Sequence, residues 1–151
     1  MLTESIVALL LIGVCVVVHC GGILVLGGAL VRRRPEIERR AGIVHSALVL
    51  IGVFAALMLL HVAENCIWAA FYHGLGFFGN YETALYFSLG TYTTIGYGDV
   101  LLPQKWRLLG SLEGISGVLL CGLSAAFLFT VVNALFQFRI QRMNRETDLS
   151  D

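Results

Sequence analysis

Three long stretches of this chain hold no Asp, Glu, Lys or Arg: residues 6–31, 41–63 and 114–138. Each exceeds the roughly 20 residues that a helix needs to cross about 30 Å of hydrocarbon. The charged residues are confined to the intervals between them and to the two ends of the chain. A soluble domain needs a charged surface, and a chain that is 13% charged and 58% hydrophobic does not supply one. The pattern therefore predicts an all-α membrane protein with three transmembrane helices. Formal net charge is zero, so nothing in the overall charge suggests a nucleic-acid partner. The N-terminal Met1-Leu2-Thr3-Glu4-Ser5 lacks the basic start of a signal peptide and leads into an apolar stretch too long for one, so the first stretch reads as a retained helix.

Positive charge sets orientation, because Lys and Arg beside a span stay on the cytoplasmic side. Arg32, Arg33, Arg34, Arg39 and Arg40 follow the first stretch, and Arg139, Arg142 and Arg145 follow the third. Three spans put both groups on one face, and the other face holds only Lys105 and Arg107. The expected topology is a multi-pass protein of the plasma or inner membrane, N-terminus outside and C-terminus cytoplasmic. The arginines at 32–40 are expected to form a cytoplasmic loop that can contact anionic lipid, although topology alone accounts for them. Residues 1–40 are thus a first helix with its Arg-rich loop, and residues 139–151 a short cytoplasmic tail.

Between the second and third stretches lies a segment too short to span. Asn80 can cap a helix start and Glu82 suits the positive end of its dipole. The aromatic and apolar run from Tyr81 to Tyr92 predicts a re-entrant helix of about 81–92. It leads into Thr93-Thr94-Ile95-Gly96-Tyr97-Gly98-Asp99, whose glycines permit backbone angles other residues resist. Irregular backbone at membrane depth is tolerated where it is buried in protein or lines a water-filled path.

That string resembles the selectivity filter of potassium channels, with Ile95 where Val is usual. The resemblance covers residues 41–138: an outer helix 41–72, pore helix 81–92, filter 93–99 and inner helix about 105–138. It implies a tetrameric pore passing K+ downhill, with four such loops replacing the ion's hydration shell by carbonyl oxygens. The carbonyls of Thr94, Ile95, Gly96 and Tyr97 would hold K+, the Thr94 hydroxyl would complete the innermost site, and Gly98 would shape the outer mouth. Tyr97 would pack on Tyr86 and Phe87 to brace the filter width. Thr93, Asp99, Tyr86 and Glu64 are the expected supports. Relatives pair the Asp at the position of Asp99 with a pore-helix Glu or Trp. Here those positions are Gly90 and Tyr86, so the expected bond runs from the Tyr86 hydroxyl to Asp99.

Other residues carry two readings each. Glu64 is costly inside a span, and is either functional or an interhelical hydrogen-bond partner, with the pore helix as the candidate on the other side. Glu113 reads as a structural partner. Gly110, Gly114, Gly117, Cys121 and Ser124 put small residues on one face of the third span. Gly117 and Gly122 are candidate gating hinges, with tight packing as the alternative. Cys15, Cys20, Cys66 and Cys121 show no metal-ligand spacing, and His19, His45, His61 and His73 look scattered. The first span has no arginine row for sensing voltage, and the tail beyond 138 is too short for a ligand-binding domain. No catalytic constellation is present, and no cofactor is expected beyond K+ as the permeant ion. The expected assembly is a homotetramer; the alternative is a silent or regulatory pore subunit that needs another channel chain to conduct.

Overall fold

The computed structural model describes residues 2–40 and 42–148. It contains four helices, α1 (Leu2–Arg39), α2 (Ile43–Gly74), α3 (Tyr81–Tyr92) and α4 (Arg107–Asp148), with a single 3-10 turn at Gln104–Trp106 before α4. Strands are absent among the described residues. Three segments are long and apolar enough to cross a membrane: Thr3–Arg39, Ile43–Gly74 and Gln104–Asn144. The chain is an all-α membrane protein.

Two boundaries differ from the sequence expectation, for the same reason. The Arg-rich segment is helical as far as Arg39, not a loop. Arg and Glu are good helix formers, and they pair one turn apart: Arg34 with Glu38 at 2.6 Å and Arg40 with Glu36 at 3.5 Å. Pro35 is carried inside this helix, within a turn of its end. At the other end of the sequence, α4 continues past Phe138 to Asp148, because no Gly or Pro interrupts Arg139, Gln141, Arg142 and Met143. Only the last three residues of the expected tail lie outside the described residues.

Contacts divide the chain into two compact units. One holds α1 from Gly22 on, α2 up to Met58 and α4 from Leu123 on. There Gly27 lies against the Phe127 ring, and the Arg34 guanidinium sits 5.3 Å above the centre of the Phe138 ring. The other holds α1 up to Gly21 together with Leu59–Gly122, and contains all of α3 and the loop after it. Its core is aromatic. Tyr72 is fully buried and contacts Trp68, Phe71, Phe77, Phe78 and Phe87.

Within that second unit, α4 approaches α3 along a row of glycines. A Cβ on Gly110 would touch Phe87 and Thr91 at 3.5 Å, and one on Gly114 would stand 3.1 Å from the Thr91 carbonyl oxygen. At Gly117 the contact is closest. A Cβ there would lie 2.2 Å from the Tyr92 carbonyl oxygen, a rigid backbone atom at the end of α3. Gly122, one turn on, has nothing within 4 Å of the same position.

The two glycines therefore separate packing from helix propensity. Gly117→Ala is expected to destabilise by about 1–3 kcal/mol or more, because helix α3 must move to admit the methyl group. Gly122→Ala is expected to leave the melting temperature unchanged or raise it, Ala being about 0.5–1 kcal/mol the better helix residue. Scanning fluorimetry on the detergent-solubilised chain checks both.

Candidate functional site

Helix α3 starts where Asn80 accepts a hydrogen bond from the Thr83 amide at 2.8 Å, with Glu82 in the first turn. It ends at Tyr92 because Thr93 onward cannot keep helical angles. Thr94, Gly96 and Gly98 have φ of 60°, 51° and 78°. Glycine adopts such angles freely, but a β-branched Thr does so only under strain of about 1–3 kcal/mol. The loop is fastened to α3 by backbone bonds: Thr93 N to Leu89 O (3.2 Å), Thr94 N to Thr91 O (2.9 Å) and Gly96 N to Gly90 O (3.0 Å). The Thr93 hydroxyl adds a bond to Leu89 O at 2.6 Å.

Around this loop the side chains fall into three sets. The outermost set links α3 to the end of the loop. The Tyr86 hydroxyl donates to Asp99 Oδ2 at 2.8 Å, and the Tyr86 and Tyr97 rings stack with centroids 6.2 Å apart. The hydrogen bond expected between Tyr86 and Asp99 is thus present. It holds the Tyr86 phenol above its usual range, since the carboxylate beside it disfavours a phenolate.

The second set surrounds Glu113, on α4. Its carboxylate is fully buried and accepts from Ser88 Oγ at 2.5 Å and from the Tyr72 hydroxyl at 2.7 Å. One acid thus ties α2, α3 and α4 together midway along α3. The third set surrounds Glu64, on α2, which is also fully buried. Glu64 Oε2 accepts from the Tyr92 hydroxyl at the last residue of α3, and Glu64 Oε1 lies 2.7 Å from His19 Nδ1 on α1. His61 Nδ1 is 2.9 Å from the Tyr92 hydroxyl oxygen.

The sequence suggested a bond from Glu64 to the 81–92 helix, which Tyr92 makes, but not the partners His19, Ser88 and Tyr72. Two of the four histidines are not scattered: His19 and His61 stand with ring centroids 5.0 Å apart beside one carboxylate. The available signal was the spacing of His61 and Glu64, which share one face of a helix. Nothing local could have placed His19 there, since it comes from a helix 45 residues away in sequence. The glycine row also has a definite use, because Gly110, Gly114 and Gly117 make the groove into which α3 fits.

The 93–99 loop itself is exposed in the single chain, Ile95 at 58% and Tyr97 at 70%. Below it, Thr91, Thr94, Gly96, Ser111, Gly114 and Val118 line an open cavity of about 490 Å³.

The amino-acid sequence matches a protein-family model described as "Ion channel" over residues 47–134. Over 67 residues the chain is 40% identical to the calcium-gated potassium channel TvoK of Thermoplasma volcanium. That match takes in 44% of this chain and 18% of the relative, so most of the relative's length has no counterpart in it. No solved structure matches the chain.

Two outcomes test the site. Ser88→Ala removes one of the two donors to the buried Glu113 carboxylate and is expected to cost about 1–3 kcal/mol, read as a lowered thermal midpoint. While Asp99 is ionised, the bond from Tyr86 is expected to contribute at pH below the ordinary phenol range near 10 and to be lost as pH rises through the raised folded value. Ultraviolet titration of the wild type against Tyr86→Phe is expected to show that the missing tyrosine is a late-ionising one.

Proposed function

The chain belongs to the ion channel family, and on that footing we propose that four copies surround an axis and pass K+ selectively down its gradient. The observation that carries this reading is the Thr93–Asp99 string in its setting. The sign of φ is positive at Thr94, Gly96 and Gly98 and at neither Ile95 nor Tyr97 between them. A backbone that alternates in this way brings successive carbonyls round toward one side, as a stack of oxygen rings requires. Four loops then give four oxygens per layer, which replace the water of a dehydrated K+. The carbonyls of Thr94, Ile95, Gly96 and Tyr97 are the proposed ion ligands, with the Thr94 hydroxyl closing the inner end. The paid strain at Thr94 supports a functional use, since such angles persist only where surroundings enforce them.

The exposure of the string supports assembly. One chain leaves Ile95 and Tyr97 uncovered, along with Ile115, Val118 and Leu119 on α4 (58, 56 and 69% exposed). Neighbouring copies around an axis would cover such a face. The α3 dipole adds to the reading: the C-terminal end of that helix carries partial negative charge and favours a cation in the cavity beyond it.

The proposed topology has the N-terminus outside and the C-terminus cytoplasmic, in the plasma or inner membrane, because eight of the ten basic residues then lie inside. The basic end of α1 would meet anionic headgroups, at about 1 kcal/mol per basic residue near the surface. Bending of α4 during opening is assigned to Gly122 in preference to Gly117, whose close contact with Tyr92 already accounts for it.

The test is flux from the lone chain reconstituted in liposomes. Potassium efflux that Ba2+ blocks and that Na+ does not replace is the expected result. Absence of flux from a folded tetramer would favour the alternative, a silent subunit that needs another channel chain. Equal Na+ flux would refute the filter assignment.

A further inference from the structure

Two histidines on different helices turn the same ring atom toward one carboxylate. His19 Nδ1 lies 2.7 Å from Glu64 Oε1 and His61 Nδ1 lies 3.3 Å from Glu64 Oε2. The donor atoms of the three residues all fall within 4.8 Å of one another. The Tyr92 hydroxyl closes the group, bonded to Glu64 and 2.9 Å from His61 Nδ1. Fastening Tyr92 requires only Glu64. It does not explain two imidazoles converging on that carboxylate inside apolar helices, where ionisable groups are costly and default to a functional role.

We propose that His19, His61 and Glu64 bind a divalent first-row transition ion of the Zn2+ type, with the Tyr92 oxygen as fourth donor. The donor set selects the ion: imidazole nitrogen suits Zn2+ and its neighbours, whereas Mg2+ and Ca2+ take oxygen ligands. The number fits as well, since three protein ligands and one further donor make a tetrahedral Zn2+ site. So does the placement. His61 and Glu64 stand three residues apart on α2, with the third ligand on α1, and helix bundles build metal sites from side chains so spaced on facing helices.

Geometry and charge are compatible with the ion. Bonds of about 2.0–2.2 Å place neighbouring donors of a tetrahedral site roughly 3.3–3.5 Å apart. His61 and Glu64 are already at 3.3 Å, and His19 must withdraw from Glu64 by less than about 1 Å, within side-chain rotation. Each imidazole would coordinate through Nδ1 with its ring proton on Nε2, and Tyr92 would bind through a lone pair of its hydroxyl oxygen while keeping its proton. The ion offsets the carboxylate charge in a place where water does not. His61 is the least enclosed of the three, its side chain 14% exposed in the single chain while those of His19 and Glu64 are fully buried. Once bound, the ion would join α1, α2 and the last residue of α3.

This inference does not depend on which ion the channel passes, and its test reads metal directly. The full chain, purified in detergent without a polyhistidine tag, is loaded with Zn2+ or Co2+ and desalted. The expected result is one ion per chain, with the intense visible absorption of four-coordinate Co2+ and an X-ray absorption spectrum showing imidazole scattering. His61→Ala and His19→Ala are each expected to weaken Co2+ binding at least tenfold while the protein elutes as wild type does. Because Glu64 also holds Tyr92, the histidine variants are the deciding ones, and the wild-type spectrum stands without any variant. Substoichiometric metal on the wild type, six-coordinate Co2+ without imidazole, or undiminished binding in both histidine variants would overturn the proposal.

Discussion

Inside the hydrocarbon core no water satisfies backbone polar groups, so backbone that is neither helix nor closed sheet persists there only where protein buries it or it lines a water-filled path. In the proposed pore, helix α3 and the loop after it are where this protein meets that constraint. The helix is twelve residues long, too short to span, and its end leads into backbone that neither helix nor sheet can satisfy. The solution is attachment at regular intervals. Asn80 caps the start, Glu113 holds Ser88 in the middle, Glu64 holds Tyr92 at the end, and Tyr86 reaches forward to Asp99. Two of these anchors are fully buried carboxylates. Each would be expensive alone, and each accepts hydroxyl hydrogen bonds that offset the cost of leaving water.

The glycines of α4 serve the same end by a different route. Attraction between membrane helices comes from close packing rather than from expulsion of water, so small residues let backbones approach. Gly117 admits the Tyr92 carbonyl to a distance that no side chain allows. The loop can then hold Thr94 at a positive φ, since the helix before it is fixed on one side by glycines and on the other by hydrogen bonds. Rigid support and strained backbone are complementary, and their combination beside an exposed string suits a site that must keep its geometry while ions pass.

Much of this was legible in the amino-acid sequence because the signals were local or compositional. Charge-free stretches mark the three spans, Asn80 and the aromatic run mark α3 at 81–92, and the loop string carries its own resemblance. The bond from Tyr86 to Asp99 was reachable because both residues sit at positions where relatives carry a known pair. The misreadings were of two kinds. Arg32 to Arg39 suggested a loop because charge excludes a segment from the bilayer core, yet charge does not oppose helix formation. His19, Glu64 and Tyr92 belong to three separate helices, and no spacing along the chain predicts which faces those helices turn toward one another. Only His61 and Glu64, three residues apart, left a trace in sequence.

The carbonyls of Thr94 to Tyr97 are proposed to form rings of oxygens matched to dehydrated K+. The measurement that addresses it most directly is the reversal potential of single channels in a planar bilayer, with K+ on one side and Na+ on the other. A K+-selective filter gives a potential far from zero, of the sign set by K+ leaving its own compartment, and a collapse of that potential toward zero in Gly96→Ala, where a methyl group strains the φ of 51°. A wild-type reversal potential near zero would contradict it.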